Sequence, residues 1–177
     1  TGDIEANYER MAKIGFGQAG LRQFAGPGHW KDPDMLAVGN GTMNDNDNRT
    51  HMSLWAMLAA PLLAGNDLSR MKPEVLSVLL NKDVIAIDQD PLGAQGDRAY
   101  ADGPIEVWSK PMKDGSKIVG IFNRAATRSV ALQFKPLGYT GSVKARDIWA
   151  AKDLGSIKDG WSASVPEHGV ILLRVSK

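Results

Sequence analysis

The chain has 177 residues, 43% of them hydrophobic and 23% charged, and 21 basic residues against 20 acidic ones leave a net charge of +1. That balance offers no electrostatic footprint for nucleic acid or an anionic membrane. The longest apolar stretch, Ser53 to Gly65, is too short to span a bilayer and is interrupted by Pro61. Without cysteine, disulfides, thiolate nucleophiles and cysteine-ligated zinc are excluded.

The chain changes character near Pro91. Before it, Met, Leu and Ala recur at helical spacing. A helix is predicted from about Glu5 to Ala19, with Tyr8, Met11 and Ile14 on one face and Gly15, Gly17 and Gly20 weakening its far end. Phe24 to His29 reads as a loop, Trp30 to Val38 as a turn leading into a short apolar run, and Gly39 to Asn48 as a polar loop. The strongest helix is predicted from Asp47 to Ala60, with N-cap oxygens on Asp45, Asn46 and Asp47 and Pro61 closing it. Leu62 to Gly65 reads as a buried strand, Lys72 to Leu80 as a helix with Pro73 in its first turn, and Lys82 to Asp88 as another. Helices alternating with short apolar segments suggest βα units around a buried parallel sheet.

From Arg98 the period falls to two. Ile105-Glu106-Val107-Trp108 alternates. Ile118–Asn123, Ser129–Phe134, Gly141–Asp147, Trp161–Val165 and Gly169–Val175 are further candidate strands, and Asp114-Gly115 signals a hairpin turn. This spacing of strands and turns suggests an antiparallel sandwich.

Few residues offer chemistry. The three histidines, His29, His51 and His168, have no metal-ligand spacing, no G-x-S-x-G elbow is present, and Gly15-x-Gly17-x-x-Gly20 lacks the preceding strand of a dinucleotide fold. Asp3, Asp32, Asp34 and Asp67 each fall near the expected C-terminal end of a strand, the catalytic face of a β/α barrel. Trp30 beside Asp32 and Asp34 suits a sugar, the ring covering an apolar face and carboxylates accepting hydroxyl protons. Equally, Asp32-Pro33-Asp34 fits a turn whose aspartates cap backbone N–H groups. Asn40-Gly41-Thr42 and Asn48-Arg49-Thr50 match the N-glycosylation triplet, which is common by chance.

Three long segments, "AGPGHWKDPDMLAVGNG", "HMSLWAMLAAPLLAGNDLSRM" and "NKDVIAIDQDPLGAQG", in this order, resemble glycoside hydrolase family 27, the retaining α-galactosidases (melibiases) and related α-N-acetylgalactosaminidases. The resemblance extends from "TGDI" to "VPEHGVILLRV". It implies the C-terminal part of a (β/α)₈ barrel, about strands six to eight, over residues 1–94, followed by an antiparallel β-sandwich over 95–177. It makes Asp3 the general acid/base, Asp34 and Met35 substrate-binding residues, Trp30 and Asp32 residues that shape the same loop, and Asp67 a structural support. Lys31 departs from the asparagine usual in that loop. The family's nucleophile, an aspartate on strand four, has no counterpart here, so the resemblance implies that this chain alone is inactive and needs the N-terminal part of the barrel. A first residue other than Met points the same way. The implied substrate is an α-galactoside, with no metal or organic cofactor, no nucleic acid and no membrane partner, in an extracellular or periplasmic setting. Alternatives are α-N-acetylgalactosaminidase activity, a non-catalytic sugar-binding module, and carbohydrate binding by the sandwich through Trp149 or Trp161.

Overall fold

In a computed structural model describing residues 2–158 and 160–177, four α-helices precede eight strands. The helices are α1 (Tyr8–Phe16), α2 (Asp45–Leu58), α3 (Pro73–Leu79) and α4 (Lys82–Asp88). The strands are β1 (Asp97–Asp102), β2 (Ile105–Pro111), β3 (Lys117–Asn123), β4 (Arg128–Leu132), β5 (Val143–Asp147), β6 (Lys152–Ile157), β7 (Trp161–Val165) and β8 (Val170–Ser176).

Helix α2 organises the first half. Its N-cap is Asn44, one residue before the expected cap. The Asn44 side chain accepts from the Asn46 and Asp47 N–H groups, while the Asp47 carboxylate accepts from the Asn44 N–H at 2.9 Å, closing a capping box. The helix ends at Ala59, whose φ of 51° is left-handed, so the chain has turned before Pro61 is reached. Every residue from Thr50 to Leu58 is buried. One side of α2 packs on α1, α3 and α4, the other on β2, β3 and β8. Helix α1 is shorter than its apolar spacing predicts. Asn7 caps it by accepting from the Arg10 N–H, and it stops before Gly17.

The expected buried strand at Leu62–Gly65 is extended but largely open, with Leu63 56% exposed. Its one described pairing is a parallel bridge between Leu36 and Ala64, framed by Leu36 N–H to Leu63 O at 2.8 Å and Gly65 N–H to Leu36 O at 2.9 Å. A strand is buried by neighbours along both edges and over both faces, and the described residues supply one edge only.

The second half is an antiparallel sandwich. Six strands run in the order β1-β2-β3-β8-β5-β6, and β4 pairs with β7 in a separate two-stranded sheet. Ile105, Val107, Val119, Ile121, Leu173 and Val175 meet Leu132 and Val165 between the sheets. The opposite face of the large sheet, including Trp108, Ile118, Phe122 and Leu172, joins the core of α1 and α2. Alternation at Ile105–Trp108 therefore decides which core a residue enters, not whether it is exposed. Glu106 is buried there because Arg124 pairs with it at 2.6 Å, Arg98 lies at 3.5 Å, and the Trp108 indole donates to it at 3.0 Å. Asp114-Gly115 turns between β2 and β3 as expected, with Gly115 at φ 83°. Sequence periodicity misses β6, a polar edge strand with mostly exposed side chains.

Polar ties lock the halves together. Buried Lys110 on β2 donates from Nζ to Ala56 O at 2.7 Å, at the negative end of the α2 dipole. Burial lowers the Lys110 pKa and raises that of Asp88, each charge opposing the other's shift. Trp149 donates to Ser53 Oγ at 2.8 Å, and Thr50 Oγ1 donates to His168 O at 2.6 Å. The His168 ring pairs with Asp47 at 3.0 Å and stacks on Tyr8 with centroids 3.5 Å apart. His51 is enclosed, with neither ring nitrogen hydrogen-bonded among the described residues, and burial drives its pKa down to about 3. Asn48 is buried too and accepts from the Gly39 N–H at 2.7 Å, so that triplet presents no glycan acceptor in the folded chain.

Candidate active site

Asp34 is the centre of the site region. It has a left-handed backbone, φ 78°, at a residue with a Cβ. Aspartate tolerates that region better than most residues, yet the conformation still costs about 1 kcal/mol. It accepts three hydrogen bonds. Oδ1 accepts from the Met35 N–H at 2.7 Å, Oδ2 accepts from the Ile4 N–H at 2.7 Å, and the main-chain carbonyl accepts the Trp55 indole N–H at 2.8 Å. The Ile4 N–H, followed by that of Met35, lowers the Asp34 pKa by favouring the carboxylate. Two acceptor oxygens with lone pairs to spare can still take hydroxyl protons from a sugar.

The bond to Ile4 brings the Asp3 segment, thirty residues away in sequence, to Asp34. Arg10 on α1 holds it from the other side, donating from Nε to Asp3 O at 2.7 Å. The Asp3 side chain is exposed. Asp32 accepts from the Asp34 N–H at 2.9 Å, the turn-capping role that the Asp-Pro-Asp sequence also allowed. Met35 follows directly and is 44% exposed. The structure thus joins Asp3, Asp32, Asp34 and Met35 through short backbone links. All of these residues precede the Leu36–Ala64 bridge in the chain.

Trp30 points elsewhere. Its ring edge lies close over Gly93, where an added Cβ would sit 2.8 Å from it and 3.0 Å from Pro27. It helps line a cavity of about 440 Å³ with Pro27, Pro61, Asp88 and Gly93. Asp67 is exposed and caps a single 3-10 turn at Leu68–Arg70 by accepting from the Ser69 N–H. A larger cavity of about 700 Å³ lies between α1, the start of α2 and the Glu167–His168 turn, lined by Glu5, Tyr8, Lys13, Asp47 and His168. Opposed charges fill its rim and the Asp34–Met35 loop does not line it, so its size does not make it the site. Trp149 and Trp161 are half-buried, the first bonded to α2 and the second packed on the sandwich core. Among the described residues no three His, Cys, Asp or Glu side chains are placed to hold a metal ion.

Sequence reasoning did not see the Ile4 and Trp55 contacts to Asp34. No local pattern reports a bond between residues 21 or 30 positions apart.

Residues 3–90 match the family model described as alpha galactosidase A, and residues 102–175 match that of the alpha galactosidase C-terminal beta sandwich domain. The chain is 39% identical over 171 residues to an alpha-galactosidase of Oryza sativa subsp. japonica, covering 95% of this chain and 41% of the relative. It is 39% identical over 200 residues to alpha-galactosidase A of Cellvibrio japonicus, covering 99% of this chain and 49% of that one. Among solved structures, alpha-galactosidase I of Mortierella vinacea superposes with a TM-score of 0.88 at 28% identity, over 97% of this chain and 45% of the other. A glycoside hydrolase family 27 β-L-arabinopyranosidase of Geobacillus stearothermophilus gives 0.90 at 29% identity, over 100% and 44%. The chain spans less than half the length of each of these relatives. With two family models matching in succession, and a sandwich where the second requires one, the chain belongs to the α-galactosidase (melibiase) family, glycoside hydrolase family 27.

Proposed function

We propose that this chain is the acid/base-bearing part of a glycosidase that removes terminal α-D-galactosyl residues with retention of configuration. The observation carrying this reading is the bond from the Ile4 N–H to Asp34 Oδ2, which sets Asp3 beside Asp34 and Met35 in a chain of this family. Residues 1–94 then form part of a (β/α)₈ barrel and residues 95–177 its sandwich domain. The rest of the barrel, with the nucleophile, belongs to the portion of the relatives that this chain does not match.

Retaining glycosidases place two carboxyl groups about 5 Å apart. The nucleophile attacks the anomeric carbon and forms a covalent glycosyl-enzyme. Asp3 protonates the departing oxygen, then takes a proton from the water that hydrolyses the intermediate. Asp34, held as a carboxylate by its two backbone donors, accepts sugar hydroxyl protons, and Met35 offers apolar surface to the ring. Asp3→Asn in the complete polypeptide tests this. Turnover of an unactivated α-galactoside should fall about 10²–10⁴-fold while galactose binding persists. Turnover within twofold of the wild type would remove Asp3 from the mechanism and favour a sugar-binding module.

A further inference from the structure

We propose that Trp55 is a positioning residue for the Asp3–Asp34 pair, a role that rests on the catalytic reading above. The Trp55 indole N–H donates to Asp34 O at 2.8 Å, and Asp34 Oδ1 accepts the Met35 N–H at 2.7 Å. Both polar ends of the peptide unit between Asp34 and Met35 are therefore fixed, one from α2 and one by the Asp34 side chain. That unit joins the two residues assigned to the sugar. Rotating it would break both bonds and swing the carboxylate whose other oxygen holds Ile4.

Trp55 itself has little freedom. It is completely buried, the His51 ring packs on it edge to face with centroids 4.1 Å apart, and a Cβ at Gly15 would come within 2.9 Å of its ring. Its indole thus carries the position of a fully packed helix to a loop whose own backbone is left-handed. Near the reacting centre, displacements of about 1 Å change rates by about a hundredfold. A donor that fixes this loop is therefore a lever on the reaction without touching the substrate.

The test uses the complete polypeptide carrying this chain, with Trp55→Phe and with 3-benzothienylalanine at position 55. The second substitution keeps the ring volume and removes only the N–H, so it serves if the first variant fails to fold. Trp149→Phe is the control, because it removes another indole donor to α2, the one bonded to Ser53. Kinetics on a nitrophenyl α-galactoside are read with hydrogen exchange at the Ile4 and Met35 amides. For both Trp55 variants, kcat/KM should fall about tenfold to a hundredfold with KM itself raised. Ile4 and Met35 should lose protection while Leu36 and Gly65 keep theirs. A purely structural role would lower the folded fraction and apparent kcat without moving KM. Unchanged KM and intact Ile4 protection in the folded isostere variant would overturn the proposal. Lost protection with unchanged kinetics would instead overturn the assignment of Asp3 and Asp34 to the reaction. Trp149→Phe should leave both readings unmoved.

Discussion

The sandwich half builds a sheet six strands wide, whereas the extended segments of the helical half are barely paired among the described residues. Strands β2, β3 and β8 pair along both edges and bury both faces, one against β4 and β7 and the other against the helices. In the first half the extended segments share one parallel bridge, and Leu63 and Leu68 stand 56% and 67% exposed beside it. What orders that half is α2, which is held from behind by the sandwich. The sandwich is thus a platform for the site region rather than an appendage, and substitutions far from Asp34 should reach it through α2.

The strongest way to break this comparison is Phe122→Ala. Phe122 lies on β3 in the shared core, with its ring 5.4 Å from that of Phe16 on α1. Truncating it should cost about 3–5 kcal/mol. Helical and sheet signals should still be lost together in one denaturant transition, and two separate transitions would show that the halves do not support each other.

Acid should expose the same dependence through His51. Its folded pKa, about 3, lies below the ordinary value of 6.5, so the unfolded chain binds the proton more readily. Stability is therefore intact above about pH 6.5 and falls as pH drops toward 3, by about 2–3 kcal/mol at pH 4.5. Chemical denaturation of His51→Phe should show a flatter profile across that window. An identical slope in both proteins would remove His51 as the source. Smaller effects sit at the ends of α2. Asn44→Ala removes the cap and should cost about 1 kcal/mol. Ala59→Gly relieves the left-handed φ of 51° and should gain about 0.5–1 kcal/mol in the same assay.

Sequence reading did well where local chemistry decides the outcome. Pro73 marks the first turn of α3, α4 covers the expected Lys82–Asp88, and Asp114-Gly115 makes the β2–β3 turn. It failed where the decision is tertiary. The sequence does not single out Asn44, because three acidic or amide residues follow it and only the backbone angle selects among them. Strand β6 has no apolar alternation because it is an exposed edge. Leu62–Gly65 reads as buried from composition, yet burial depends on neighbours that composition does not supply. In the site, the identities of Asp3, Asp34 and Met35 came from motif resemblance. Their linkage through Ile4, Arg10 and Trp55 is visible only in the folded chain. Trp30, beside them in sequence, packs on Pro27 and Gly93 instead.

The most direct measurement of the assigned chemistry is the product formed when azide rescues Asp3→Ala in the complete polypeptide acting on an activated aryl α-galactoside. If the nucleophile lies outside residues 1–177 and Asp3 is the acid/base, the glycosyl-enzyme still forms. Azide then enters from the side vacated by Asp3, giving the α-galactosyl azide with retained configuration. A β-galactosyl azide would make Asp3 the nucleophile, and that product would contradict the mechanism built on this chain.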